Sequence, residues 1–177
     1  MTDLSTLNPG RILVCQQRQI GDVLLASPVF EVLKKRFPKA ELHIFTEQKC
    51  EPLLRHNPYI DVFHLIDKKK GFFQQLAFYR SVASCRFDLV IDLQQLPRCR
   101  MMTLASRAPV RLSFPASALS RFIYNRLVTP KDGYASETKI SLLEPFDIHW
   151  QKEGPRIFLT EEEKTQAAEI PDLTTPQ

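Results

Sequence analysis

Short runs of aliphatic and β-branched residues alternate along this chain with longer stretches in which apolar positions recur every three or four residues. The short runs predict strands at 11–15 (RILVC), 41–46 (ELHIFT), 62–66, 87–93 (FDLVIDL) and 109–113, with a further short strand at 157–159. The longer stretches predict helices at 22–37, 47–56, 72–84, 97–106, 119–127, 137–146 and 160–170. The first helix carries Val23, Leu24, Ala26, Val29, Phe30, Leu33 and Phe37 near helical spacing and ends before Pro38. Asp22 stands where an N-cap belongs, and Pro28 is expected to kink or delay this helix because it lacks an N–H. Pro97 suits the first turn of its helix, and Thr160 with Glu163 forms a T-x-x-E capping box. Phe72, Phe73, Phe78 and Tyr79 fall at helical spacing, which reads first as core packing and second as a lipid-facing surface.

The order β-α-β-α-β-α-β-α-β predicts an α/β protein with a Rossmann-like, mostly parallel sheet and helices on both faces. Ligands in such sheets bind beyond the C-terminal ends of the strands. The loops to inspect are therefore 16–21 and 93–97. The domain partition expected is a disordered tail over 1–10, a Rossmann-like acceptor-binding domain over 11–159, and a helix with a linker over 160–177, ending in PDLTTPQ.

A length of 177 residues fits one domain, and 44% hydrophobic with 25% charged residues is ordinary for a globular protein. The net charge of +4 is too mild and too dispersed for a nucleic-acid binder, so no nucleic-acid partner is expected. Cys15, Cys50, Cys85 and Cys99 form no C-x-x-C pair, and disulfides are not expected. His43, His56, His64 and His149 show no ligand spacing with the cysteines, so no zinc site is visible and no metal is expected. The polar opening MTDLSTLNPG is no secretory signal, and no apolar run is long enough to span a membrane. The expected compartment is the cytoplasm, with room for peripheral contact with a membrane face.

The loop QQRQIGD sets Gly21 and Asp22 at a helix N-terminus, where free N–H groups and the helix dipole favour an anion. G-x-G-x-x-G and G-x-x-x-x-G-K-[ST] are both absent from a chain with five glycines, which argues against dinucleotide binding and P-loop chemistry. Asp22 reads either as a plain helix cap or as a general base reaching a substrate hydroxyl. Asp92 and Gln94, with Gln95, end the fourth strand and read either as crevice hydrogen-bonding groups or as a solvated loop. Arg98, Arg100, Arg107, Arg111, Arg121 and Arg126 read either as bidentate phosphate contacts or as a solvated basic surface. The run Lys68-Lys69-Lys70 reads as a solvated turn, with membrane-surface contact as the lesser reading.

The string RILVCQQRQIGDVLLASPVFEVLKKRFPKAELHIFTE resembles the opening of glycosyltransferase family 9, which contains the lipopolysaccharide heptosyltransferases. The core of the likeness is Ile20-Gly21-Asp22-Val23-Leu24-Leu25-Ala26-Ser27-Pro28. NPYIDVFHLID and FDLVIDLQ resemble two further segments, and DVLLASPVFEVLK looks most like the branch adding the third, side-branch heptose. The family keeps a proline where Pro28 stands. The resemblance implies the N-terminal half of a GT-B glycosyltransferase, which meets the phosphorylated lipopolysaccharide core acceptor. It implies a second domain for the donor, ADP-heptose, and an inverting, metal-free reaction near the cytoplasmic face of the inner membrane. That second domain has no counterpart in these residues, so no cofactor is expected here and the chain is expected to be inactive alone or paired with a separate half. The family's general base falls on Asp22. The acceptor-contacting set expected is Arg18, Gln19, Gly21, Asp92, Gln94, Arg98 and Arg121. Many members carry a charged residue where Gln19 stands, so acceptor contacts are expected to differ. Two other readings stand beside this one: a non-catalytic phosphoglycolipid-binding module, and a generic α/β phosphate-binding domain.

Overall fold

A computed structural model describes residues 4–116 and 120–168. Five strands, β1 (Arg11–Cys15), β2 (Glu41–Glu47), β3 (Val62–Ile66), β4 (Leu89–Asp92) and β5 (Val110–Ser113), join a short β6 (Arg126–Leu127) in one sheet. The order is β3-β2-β1-β4-β5-β6, and every pairing is parallel. Strand order reverses between β1 and β4, so the crevice at this switch point lies between the loops that follow them. The fold class is the one the alternating pattern predicts.

Strands buried on both faces need apolar residues at successive positions. In β1, Ile12 and Val14 enter one core with α1 (Ile20–Arg36), while Leu13 and Cys15 enter another with α3 (Phe72–Ala83) and α4 (Pro97–Ser106). The α1 core also takes in α6 (Ala135–Ser141) and the 3-10 turn Glu144–Phe146, where Phe37 and Phe146 meet edge-to-face at 5.8 Å.

Several boundaries differ from expectation. The first helix starts at Ile20 with Gln19 as its N-cap, so Asp22 is the third helical residue and not the cap. It runs through Pro28, which has no N–H for the Leu24 carbonyl; the Ser136 hydroxyl donates to the next carbonyl, Leu25, at 2.9 Å. The helix expected at 47–56 is a 3-10 turn, Gln48–Cys50, followed by α2 (Glu51–Leu54), because β2 keeps pairing through Glu47. Of the helix expected at 119–127, α5 (Ser120–Ile123) remains; Arg126 and Leu127 pair with β5, and residue 119 lies outside the described residues.

The stretch 157–159 joins no strand. It belongs to a return segment along α1, in which Arg156 N donates to Ser27 Oγ (3.0 Å) and Phe158 meets Tyr59 edge-to-face at 6.0 Å. The capping box forms at α7 (Glu161–Ala168): Thr160 N donates to Glu163 Oε2 at 2.8 Å, and Glu163 N donates to Thr160 Oγ1 at 3.2 Å. The linker-like residues 171–177 lie outside the described residues. Residues 4–10 fall in the stretch read as a disordered tail; here Leu4 is 6% exposed, and Ser5 O accepts from Arg36 Nη2 at 2.5 Å. Phe72 and Phe73, read first as core, are 73% and 82% exposed, whereas Tyr79 is buried. Among the described residues, no helix is long and apolar enough to cross a membrane.

Candidate functional site

The crevice at the switch point is laced by a single amide. Gln94, just past β4, accepts from Gln17 N (3.0 Å) and Arg18 N (3.1 Å) through Oε1. Its Nε2 donates to Arg18 O (2.7 Å) and, more loosely, to Asp22 Oδ2 (3.4 Å). The loops after β1 and β4 are thereby tied together, and one carboxylate oxygen of Asp22 is oriented. Gln17 points inward, where its Nε2 donates to Glu47 Oε1 at 3.1 Å. Glu47 also pairs with Lys68 at 2.6 Å, so one exposed residue of the lysine run is engaged with a buried carboxylate. Gln19 turns the chain into α1 with φ 67° and ψ 106°, a region that L residues seldom occupy.

Asp22 sits half-buried in the first turn of α1. Val23 N makes the first helical bond, to Gln19 O at 2.9 Å, so the N–H groups of Ile20, Gly21 and Asp22 have no intrahelical acceptor. A side chain at Gly21 would meet nothing within 4 Å, which leaves this helix end open to approach. Asp22 lines a cavity of about 440 Å³ together with Leu93, Phe114, Gly133, Ala135, Thr138 and Lys139. Lys139 comes from α6 and donates through Nζ to Gln16 Oε1 at 3.2 Å. Burial pushes its pKa down, and the charge of Asp22 pulls it up. The pocket thus offers an accessible carboxylate, a partly desolvated ammonium and an apolar wall.

Asp92 has a different place from the one its strand-end position suggests. It is fully buried, accepting from Tyr124 Oη (2.6 Å), Gln95 N (2.7 Å) and Gln94 N (3.0 Å). Burial pushes its pKa up against these three donors. Its carboxylate braces the 93–95 turn and leaves no face for a ligand, so it acts on the crevice through Gln94. Arg18, Gln19 and Gly21 are exposed at the mouth of the crevice. Arg98, in the first turn of α4, is half-buried, and its charge acts on Tyr79 in the α3 core. Arg121 is exposed on α5. Neither Arg98 nor Arg121 lines the Asp22 cavity.

Sequence reasoning missed Gln17 and Lys139. Gln17 falls inside the loop 16–21 that the topology singles out. Lys139 gives no local signal, because only the docking of α6 on α1 brings it there. A larger groove of about 880 Å³ lies between α3 and α4 at the strand starts. Its acid, Asp88, is occupied by Gly10 N (2.7 Å) and Arg11 N (2.9 Å), and the groove is remote from the switch point.

No family model matches the chain. Over 140 residues it is 28% identical to lipopolysaccharide heptosyltransferase 3 of Escherichia coli, a match covering 72% of this chain and 40% of that protein. Its fold superposes on a glycosyl transferase family 9 structure from Veillonella parvula with a TM-score of 0.75 at 24% identity, covering 95% of this chain and 49% of that one. It also superposes on E. coli ADP-heptose lps heptosyltransferase II with a TM-score of 0.71 at 18% identity, covering 89% and 49%. The chain spans about half the length of the relatives it matches or less.

Proposed function

On the premise that this chain is related over one domain to the lipopolysaccharide heptosyltransferases of glycosyltransferase family 9, we propose that it is the acceptor-side half of such an enzyme, with Asp22 as general base. The observation that carries this reading is the Asp22 carboxylate itself: accessible, aimed by Gln94 and lining a cavity opposite Lys139. An acceptor sugar hydroxyl seated there gives its proton to Asp22 as its oxygen attacks the anomeric carbon of a nucleotide-activated heptose. Attack from the face opposite the leaving diphosphate inverts that centre. Lys139 and the open N–H groups of the first α1 turn suit the acceptor's phosphates. Arg18 and Gln19 stand at the rim, and Asp92 positions Gln94 from below. The donor, of the ADP-heptose type, approaches across the crevice from a second domain.

Contact with an anionic membrane face is part of the same proposal. Lys69 and Lys70 precede the exposed rings of Phe72 and Phe73, a basic-aromatic pairing suited to a headgroup layer. This reading puts the site on the cytoplasmic side.

The test mixes the chain with a separately produced donor domain of a relative, ADP-heptose and a phosphorylated lipopolysaccharide core. Heptose transfer is expected, and Asp22→Asn is expected to lower it about 10²–10⁴-fold while acceptor binding by calorimetry stays within about twofold. Acceptor binding with no transfer by the wild-type pair would make the domain a binding module. Transfer undiminished in Asp22→Asn would remove the base from Asp22.

A further inference from the structure

We infer that His43, His64 and Cys85 form a binding site for a borderline transition-metal dication of the Zn²⁺ class. The site lies on the α3 side of the sheet, near the strand starts and away from the Asp22 cavity. His43 of β2 and His64 of β3 share a face, since His43 pairs with Val62 and Phe45 with His64 in the parallel register. Cys85 reaches them from the turn after α3. One donor atom from each of the three lies within 4.8 Å of the other two. The spacing in sequence gives no hint of this, and only the sheet register brings the three together.

Several features suit a metal better than a plain core contact. His43 Nδ1 and His64 Nε2 stand 2.9 Å apart with their ring planes within 13°, so one ring nitrogen donates to the lone pair of the other and two nitrogen donor atoms are already side by side. Glu41 Oε2 lies 3.2 Å from His43 Nε2 and is itself held by Arg11 Nε at 2.9 Å. A carboxylate at that distance, although not aligned for a hydrogen bond, favours the proton on Nε2 by its charge and leaves the Nδ1 lone pair facing His64. Phe87 packs edge-on against both rings, at 5.0 and 6.2 Å, and gives the pair an apolar wall.

The geometry closes with side-chain motion alone. Zn–N bonds of about 2.0–2.1 Å and a Zn–S bond of about 2.3 Å in a tetrahedron set the donors roughly 3.3–3.6 Å apart. The imidazoles need to open by a few tenths of an ångström and to tilt, so that lone pairs now aligned along the hydrogen bond converge on one centre at about the tetrahedral angle. The thiolate needs to close by at most about 1.5 Å, by rotation about one bond in a half-buried turn. Binding releases the Cys85 thiol proton and moves the His64 proton from Nε2 to Nδ1. Water fills the fourth position. Two imidazoles and a thiolate do not suit Mg²⁺ or Ca²⁺, which take oxygen ligands.

The test titrates the chelator-treated chain with Co²⁺, then with Zn²⁺. One-to-one binding with a thiolate-to-cobalt charge-transfer band is expected, and Zn²⁺ should abolish the band. Cys85→Ser should remove the band and weaken Zn²⁺ binding about 100-fold, and Glu41→Gln should weaken it about tenfold. His64→Gln reports the same loss if it folds by circular dichroism; Cys85→Ser, in a half-buried turn, decides if it does not. Absence of saturable binding by the wild-type chain overturns the assignment. So does a band that survives Cys85→Ser, which would place the metal on another thiol.

Discussion

Gln19 and Gln94 show how single residues shape the crevice. Holding an L residue at φ 67° costs on the order of 1–3 kcal/mol. Replacing it by glycine removes that strain but adds about 0.4–1 kcal/mol of unfolded-chain entropy. Relief of strain outweighs the added entropy, so Gln19→Gly is expected to raise stability by about 1 kcal/mol in urea unfolding. A loss of stability would mean that the Gln19 side chain contributes a contact exceeding the strain. The role of Gln94 was half legible. Its place at a strand end in an α/β sheet marked it for the crevice. Its four-way tie to Gln17, Arg18 and Asp22 depends on the distance between two loops that are more than seventy residues apart in sequence. Asp92 carried the same positional signal but turned inward, because Tyr124, far downstream, supplies the hydroxyl that lets a carboxylate be buried.

At the scale of elements, local rules served where the signal was local. Pro97 opens α4 at the expected residue, and the capping box at Thr160 forms with both hydrogen bonds. Helix α7 buries no side chain, so its order rests on that cap more than on packing. Thr160→Ala is therefore expected to cost about 1 kcal/mol of local stability. Faster hydrogen exchange at amides 161–165 should appear without a change in the global melting temperature. A shift of the whole melting curve would show that α7 is coupled to the core. Local rules failed where pairing overrides propensity. Arg126 and Leu127 read as helical but join β5 as an edge strand, and Glu47 ends a strand instead of opening a helix. The apolar spacing of Phe72 and Phe73 implied burial, yet no element among the described residues covers them.

For the molecule as a whole, the paired imidazoles make stability depend on pH. The folded chain holds His64 near pKa 4, below its ordinary 6.5, so the neutral ring is favoured by folding. Above about pH 6.5 the ring is neutral in both states and this contribution is fully present; as pH falls toward 4, the unfolded chain takes up a proton that the folded chain refuses. Glu41, Glu47 and Asp61 have lowered pKa values and stay ionised at pH 5. Between pH 7 and 5, a loss on the order of 1–2 kcal/mol is expected in urea unfolding. His43, whose pKa burial also lowers, adds to the slope with the same sign, so His64→Gln should reduce the slope without abolishing it, and an unchanged slope would trace it to other groups.

The order of synthesis bears on the crevice as well. Gln16 and Lys139 touch across 123 residues of chain. At roughly 5–20 residues per second, a ribosome delivers the ammonium at least about six seconds after the loop it will join. Once Gln94 has been made, and until Lys139 follows, the nascent domain has the residues of its acidic corner and of its tied loops but neither α6 nor the positive charge opposite. A half-made chain is thus assembled at the carboxylate first and becomes electrically complete last.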